Sequence, residues 1–193
     1  EALRRVRTEE ASDRMTHRPG SISELQKLLP QSQRVADVSL EAVAEFVEHV
    51  PEDMTATVQA GMCLAVFQKR LAASGQWLPV DLPNPELVTV GELLAKNLSG
   101  PRRFGCGTVR DWLIGLAVVL PDGRLIRNGG KVVKNVAGFD LCRLFVGARD
   151  TLGIIVEATF KLLPLPEGEA HLARPCESLG EAEEVLEKIW DSD

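Results

Sequence analysis

The hydrophobic pattern changes period several times along this chain, and each change marks an element. Residues 23–29 predict a short helix, followed by a loop over Pro30-Gln31-Ser32-Gln33-Arg34 and a short strand over 35–38. Ser39 stands as an N-cap before Leu40, Val43, Ala44, Val47 and Val50, whose spacing predicts a helix closed by Pro51. From Met54 the period drops to two. Met54, Ala56, Val58 and Ala60 share one face, with Thr55, Thr57 and Gln59 on the other, which predicts a half-buried strand turning at Gly61. Leu64, Phe67 and Leu71 restore the helical period until Ser74-Gly75 stops it. Three prolines make residues 77–85 an irregular loop, and 89–98 predicts a further helix.

The second half is richer in strands. Residues 113–120 form a strongly apolar run, Pro121-Asp122-Gly123 reads as a hairpin turn, and 124–127 returns from it. A short helix fits 140–146. Residues 152–163 predict a long strand, with Ile154, Val156, Ala158 and Phe160 alternating against Ile155, Glu157, Thr159 and Lys161. Pro164-Leu165-Pro166-Glu167-Gly168 reads as a domain boundary. Beyond it, 171–173 suggests a strand, and Leu179, Ala182, Val185, Leu186 and Ile189 predict a helix over 178–190. Residues 1–20 are polar and aperiodic, as in a mobile arm. The order βαβα, then antiparallel strands, is an α+β pattern.

Composition narrows the function classes. At 193 residues, 45% hydrophobic and 26% charged, the chain is ordinary for a water-exposed globular domain. A net charge of −6 argues against broad nucleic-acid binding, which needs a basic surface. No apolar run approaches the roughly 18 residues of a membrane span. Cys63, Cys106, Cys142 and Cys176 show no metal-ligand spacing, and reduced thiols are the plain reading. No Gly-x-Gly-x-x-Gly follows a strand, and His17, His49 and His171 lack the Ser, Cys or Asp company of a nucleophile. His49, at the end of the helix predicted over 40–50, reads as a residue complementing the helix dipole.

Candidate chemistry concentrates in residues 100–153, where glycine, Lys, Arg, Asn and Asp alternate with strand-like runs. Glycines let main-chain amides approach a ligand, and cations suit an anionic one. Read from the residues alone, the glycines line either a cofactor cleft or tight turns. Arg102 and Arg103 reach a phosphate, reach a partner's carboxylates, or are solvated. Arg110-Asp111 reads as a structural ion pair or turn. Lys134-Asn135 touches a ligand or fixes a loop, and residues 151–155 offer main chain to a ligand or simply begin a core strand.

Several pieces are recognisable together. They are Pro51-Glu52-Asp53-Met54-Thr55-Ala56-Thr57-Val58-Gln59-Ala60-Gly61-Met62, Gly75-Gln76-Trp77-Leu78-Pro79-Val80-Asp81 and Asn97-Leu98-Ser99-Gly100-Pro101-Arg102-Arg103. Further along stand Gly107-Thr108-Val109-Arg110-Asp111, Val133-Lys134-Asn135-Val136-Ala137-Gly138-Phe139-Asp140 and Thr151-Leu152-Gly153-Ile154-Ile155. In these the chain resembles the PCMH-type FAD-binding domain of FAD-linked oxidases of the vanillyl-alcohol oxidase type. Within that family it is most similar to the smaller FAD-domain (E) subunit of bacterial glycolate oxidase. The resemblance covers residues 40–166.

The resemblance implies two α+β subdomains clasping FAD, followed by a cap domain. The chain then divides into an arm (1–20), the FAD-binding domain (21–166) and the start of a truncated cap (169–193). It implies cofactor contacts at Thr89, Gly91, Asn97, Ser99, Gly100, Gly105, Thr108 and Asp111, at Lys134, Asn135, Gly138 and Asp140, and at Thr151, Gly153, Ile154 and Ile155. It implies no catalytic residue and no metal ligand here. The activity implied is oxidation of a small 2-hydroxy acid to a 2-oxo acid, flavin carrying the hydride or electrons. The partners implied are a larger flavoprotein subunit and an iron–sulfur subunit. The place implied is the cytoplasm, with possible membrane-peripheral attachment through those partners.

Three positions depart from the family pattern. Pro30–Arg34 has no glycine where a glycine-rich pyrophosphate loop is expected. Thr89-Val90-Gly91-Glu92 carries a carboxylate in place of the second glycine of Thr-x-Gly-Gly. Gly147-Ala148-Arg149-Asp150-Thr151 replaces Gly-Ser-x-Gly-Thr. These departures motivate a second reading, a non-catalytic assembly subunit of the same fold with weakened or lost FAD binding.

Overall fold

The computed structural model describes residues 17–31, 38–130, 141–170 and 173–191. Its strands in chain order are β1 (Phe46–Val50), β2 (Thr55–Gln59), β3 (Gln76–Trp77), β4 (Leu113–Val119), β5 (Leu125–Gly129), β6 (Ile154–Lys161) and β7 (Leu163–Pro164). Five of them make one antiparallel sheet in the order β1-β2-β6-β4-β5, and β3 pairs with β7 as a separate ribbon. The helices are α1 (Ile22–Leu28), α2 (Leu64–Ala72), α3 (Val90–Ala95), α4 (Arg103–Cys106), α5 (Val109–Trp112), α6 (Leu141–Phe145) and α7 (Leu179–Trp190). The α+β class expected from the sequence is the class observed.

The sheet is covered on both faces. Ala56, Val58, Leu116, Val118, Ile155, Ala158 and Phe160 pack with Leu64, Phe67 and Leu71 of α2 and with Val90, Leu93 and Leu94 of α3. On the opposite face Ala117, Val119, Ile154 and Val156 meet Leu25 and Leu29 at the end of α1. Burial of these side chains supplies the main driving force of the fold. Ser21, Thr89 and Ser178 cap α1, α3 and α7, each hydroxyl accepting the main-chain N–H three residues on.

The structure corrects the helix expected over residues 40–50. Residues 46–50 are strand β1, paired antiparallel with β2. Gly61 packs so closely that a Cβ there would lie 1.8 Å from the Leu40 carbonyl oxygen, and its N–H donates to Val43 (2.8 Å). These tertiary bonds hold the chain extended, although its apolar spacing fits a helix equally well. His49 is therefore on a strand, where its Nε2 is 2.8 Å from Gln76 Oε1, rather than at a helix end.

Two further differences follow from the sheet. The expected polar face of β2 is buried at Thr55 and Thr57, while Gln59 is half-buried. The Thr57 and Thr159 hydroxyls face each other at 2.9 Å and satisfy one another. The single alternation expected along 152–163 is broken. Ala117 pairs with Glu157 and Val118 with Ile155, so Val156 has no partner on β4. This bulge places Ile154 and Val156 on the α1 face but Ala158 and Phe160 on the other. The strand expected over 35–38 is described only at Val38, which bridges His17. The strand expected over 171–173 is described only at Ala173, which lies in none.

Candidate functional site

Some of the candidate residues meet at the C-terminal end of α3, where Asn97 stands and the segment before Thr151 docks. That helix is short and stops sharply. Asn97 adopts a left-handed conformation (φ 49°), its N–H donates to Leu94 (3.1 Å), and the Leu98 N–H reaches back to Leu93 (2.9 Å). This is a Schellman stop with Asn at the position glycine commonly fills. The loop 147–151 docks on the same helix end, where the N–H groups of Gly147 and Arg149 donate to Leu94 (2.9 Å) and Ala95 (2.8 Å). Asn97 and the segment leading to Thr151 are thereby brought together from distant parts of the sequence.

The other candidates differ in what they have free to offer. The Thr89 hydroxyl caps α3, and the Gly91 N–H donates to Ala60 (2.7 Å). Gly91 also lets α3 lie against the end of β2, since a Cβ would come within 3.0 Å of the Ala60 Cβ. The Glu92 carboxylate pairs with Lys96 one turn along the helix. Gly100 is buried against Asp81, where a Cβ would lie 2.1 Å from the carbonyl oxygen. Gly105 is exposed on α4, with open space where a Cβ would stand.

Thr108 and Asp111 engage each other. The Asp111 carboxylate accepts the Thr108 N–H (2.7 Å) and hydroxyl (2.8 Å), and these bonds hold its pKa below the ordinary carboxylate value. Arg110 donates to the Arg143 carbonyl, tying α5 to α6. Gly153, Ile154 and Ile155 are buried, the isoleucines in opposite cores, so main chain is what this segment offers a ligand. Thr151 is exposed, its hydroxyl donating to Ala148 (2.6 Å). Lys134, Asn135, Gly138 and Asp140 lie outside the described residues.

Ser99 stands apart. Its Oγ is buried and has no hydrogen-bond partner. Buried hydroxyls are nearly always satisfied, and a ligand's polar group would satisfy this one. The residues present therefore fit a polar cofactor beside the 97–100 turn. Asp150, not among the expected contacts, lies next to this region with φ 59° after Arg149 at φ 50°. Burial pushes its carboxyl up to about 6, against the opposing charge of Lys96. Its place as the left-handed residue of Gly147-Ala148-Arg149-Asp150-Thr151 was visible as a lost glycine; its burial was not.

Arg102 was legible only as a cation. Its main-chain N–H donates to both Asp81 carboxylate oxygens (3.1 and 3.2 Å), and its guanidinium pairs with Glu169 and lies over the Trp77 ring, 5.0 Å from the centroid. Both carboxylates belong to its own chain, and nothing in the local sequence marks them as its partners.

A family profile described as an FAD binding domain matches residues 18–129. The chain belongs to this family. As an FAD-binding domain its indicated cofactor is FAD. It is 39% identical over 145 residues to glycolate oxidase subunit GlcD of Bacillus subtilis, covering 75% of this chain and 31% of that protein. It is 38% identical over 130 residues to glycolate oxidase subunit GlcE of Escherichia coli, covering 67% of this chain and 37% of that one. Among solved structures, an alkyldihydroxyacetonephosphate synthase aligns with a TM-score of 0.66 over 79% of this chain and 32% of its own, at 22% identity, a likeness of fold. The FAD-binding domain described here thus spans about a third of the length of these relatives. Among its described residues no helix is long and apolar enough to cross a membrane.

Proposed function

We propose that this chain is the FAD-binding part of a flavoprotein that oxidises a small 2-hydroxy acid, glycolate or a near analogue, to the 2-oxo acid. The observation that carries this reading is the family match over residues 18–129 together with the two glycolate oxidase relatives. FAD, when bound, supplies the acceptor for the hydride leaving the substrate carbon. The chain's own task is to bind and orient. The Ser99 hydroxyl and the turn around Asn97 and Gly100 would hold the cofactor on one side, and main chain near Thr151 and Gly153 on the other. Thr89, Gly91, Gly105, Thr108, Asp111, Ile154 and Ile155, with Lys134, Asn135, Gly138 and Asp140, complete the proposed contact set. No described side chain is placed as general base, so in this reading another domain or subunit supplies it.

The reading includes a larger flavoprotein subunit, an iron–sulfur subunit taking electrons onward, and a cytoplasmic or peripheral location. It also keeps the division into an arm (1–20), an FAD-binding domain (21–166) and the first pieces of a cap domain (169–193). What supports that division is α7, whose Leu179, Leu186 and Ile189 stand 64–90% exposed and belong to neither core.

The test is direct titration of the chain with FAD, followed by anaerobic addition of glycolate to the flavoprotein with the domain or subunit that supplies the base present. Quenching of flavin fluorescence with a Kd of about 1 μM or tighter is expected. Bleaching of the bound flavin by glycolate then identifies the substrate class. A chain that binds no FAD points to the assembly-subunit reading. The observation favouring that alternative is the consecutive left-handed pair Arg149 and Asp150 in a stretch where the resembling family carries glycine.

A further inference from the structure

We propose that Arg102 is a positioning residue, coupling the loop 99–108 to the segment that follows β7. The proposal rests on reading that loop as one side of the flavin site. Two stretches distant from it in sequence, residues 77–81 and the segment at Glu169, meet at this side chain. Trp77 comes from β3, Asp81 from the loop after it, and Glu169 from beyond β7. The guanidinium stacks on the indole, pairs with Glu169 and has its Nε 3.8 Å from Asp81 Oδ2, while its main-chain N–H is held by the same aspartate. A lone exposed ion pair contributes little, but a cation held by stacking, main chain and two carboxylates belongs to a network.

The main-chain bonds of this loop close within residues 100–107, from Arg103 to Gly100 through Gly107 to Arg103, so its ties to distant segments fall to side chains. Helix α4 is four residues long, too short to stand alone, and Gly105 in its middle adds no side chain to pack. Next to Arg102, the Phe104 ring meets Trp190 of α7 edge-on, with centroids 5.2 Å apart. This is a second contact between the loop and the C-terminal segment. Withdrawal of Glu169 or of Trp190 would therefore loosen the loop that carries Ser99, Gly100, Gly105 and Thr108. Cofactor retention would then follow whether those contacts are made.

The experiment compares parent, R102Q, R102K, E169Q and R102Q/E169Q by hydrogen exchange of the 99–108 amides and by FAD titration. R102Q is expected to speed exchange in the loop about tenfold and weaken FAD about tenfold, with β4 and β6 amides unchanged. R102K, keeping the charge without the planar fork, should recover part of both effects. E169Q should show a smaller change, and the double variant should be no worse than R102Q, because both act through one contact. Loop exchange and FAD affinity in R102Q within twofold of the parent would overturn the proposal, as would loosened exchange with unchanged affinity. A parent that binds no FAD, with its loop still loosened by R102Q, would leave the coupling standing and remove the flavin reading instead.

Discussion

The two sides of the candidate site are built by different means. On one, loop 147–153 is fixed to the end of α3 by main-chain hydrogen bonds, from Gly147 to Leu94 and from Arg149 to Ala95. On the other, the 99–108 loop closes its main-chain bonds within itself, as from Cys106 to Arg102 and from Gly107 to Arg103, and is tied to distant segments by side chains, through Arg102, Asp81, Trp77 and Glu169. Main-chain bonds survive most substitutions because every residue but proline carries the donor. A side-chain network can be removed one residue at a time. The comparison teaches that a familiar backbone can persist while its ligand affinity drifts, and that the drift should concentrate on the side-chain-held loop.

The harshest break of the side-chain-held loop is Gly100→Ala. A methyl there has no room against the Asp81 carbonyl, and a loss of about 3 kcal/mol in urea unfolding is expected. A loss under about 1 kcal/mol would mean the loop gives way easily, erasing the contrast between the two sides.

On the main-chain-held side, Asp150 gives the next effect. Its carboxyl keeps its proton up to about pH 6 when folded, whereas an unfolded aspartate loses it near pH 4. The folded form is thus favoured at low pH, and that advantage is lost as pH rises from about 4 to 6. Asp150→Asn should abolish this slope and stabilise the protein by roughly 1–2 kcal/mol at pH 7, the full shift being discounted for the group's partial exposure. A variant with the parent's pH dependence between those limits would show that the carboxyl is not the strained element of that loop.

Smaller again is Thr108→Ala, which removes the hydroxyl of the capping box. A cost of about 1 kcal/mol in thermal unfolding is expected, along with a higher pKa for Asp111. The main-chain N–H of residue 108 stays, so an unmoved Asp111 titration by NMR would refute only the share assigned to the Thr108 hydroxyl. The smallest effect belongs to Glu92→Gln. Because Glu92 pairs with Lys96, the change should cost about 0.5 kcal/mol and leave FAD affinity within about twofold. A clear gain in FAD affinity would instead place that carboxylate against the diphosphate.

Much of the fold was legible because local and tertiary preferences agreed. The alternation from Met54 and the apolar run from Leu113 became strands, and Leu64, Phe67 and Leu71 became one buried helical stripe. Residues 40–50 misled because Leu40, Val43, Val47 and Val50 satisfy a helix, while pairing to β2 and the close approach of Gly61 decide otherwise. The bulge at Val156 left no mark in the hydrophobic pattern, since both faces of that strand are buried and both accept apolar residues. At the site, the glycines and polar residues of the 97–111 stretch were visible. Their partners were not, because Asp81 and Glu169 become neighbours of Arg102 only through the pairing of β3 with β7.

The sequence by itself determined the α+β class, the family and the stretches from which a flavin site would be drawn. These depend on local periodicity and on residue types at short spacing. The tertiary structure decided which groups are already engaged and which remain free. Gly91 and Thr89 are taken up in joining α3 to the chain after β2, Glu92 is turned along its helix, and the Ser99 hydroxyl is left buried without a partner. Hydrogen-bond saturation and burial are properties of neighbours in space, and a linear chain does not specify them until it has folded.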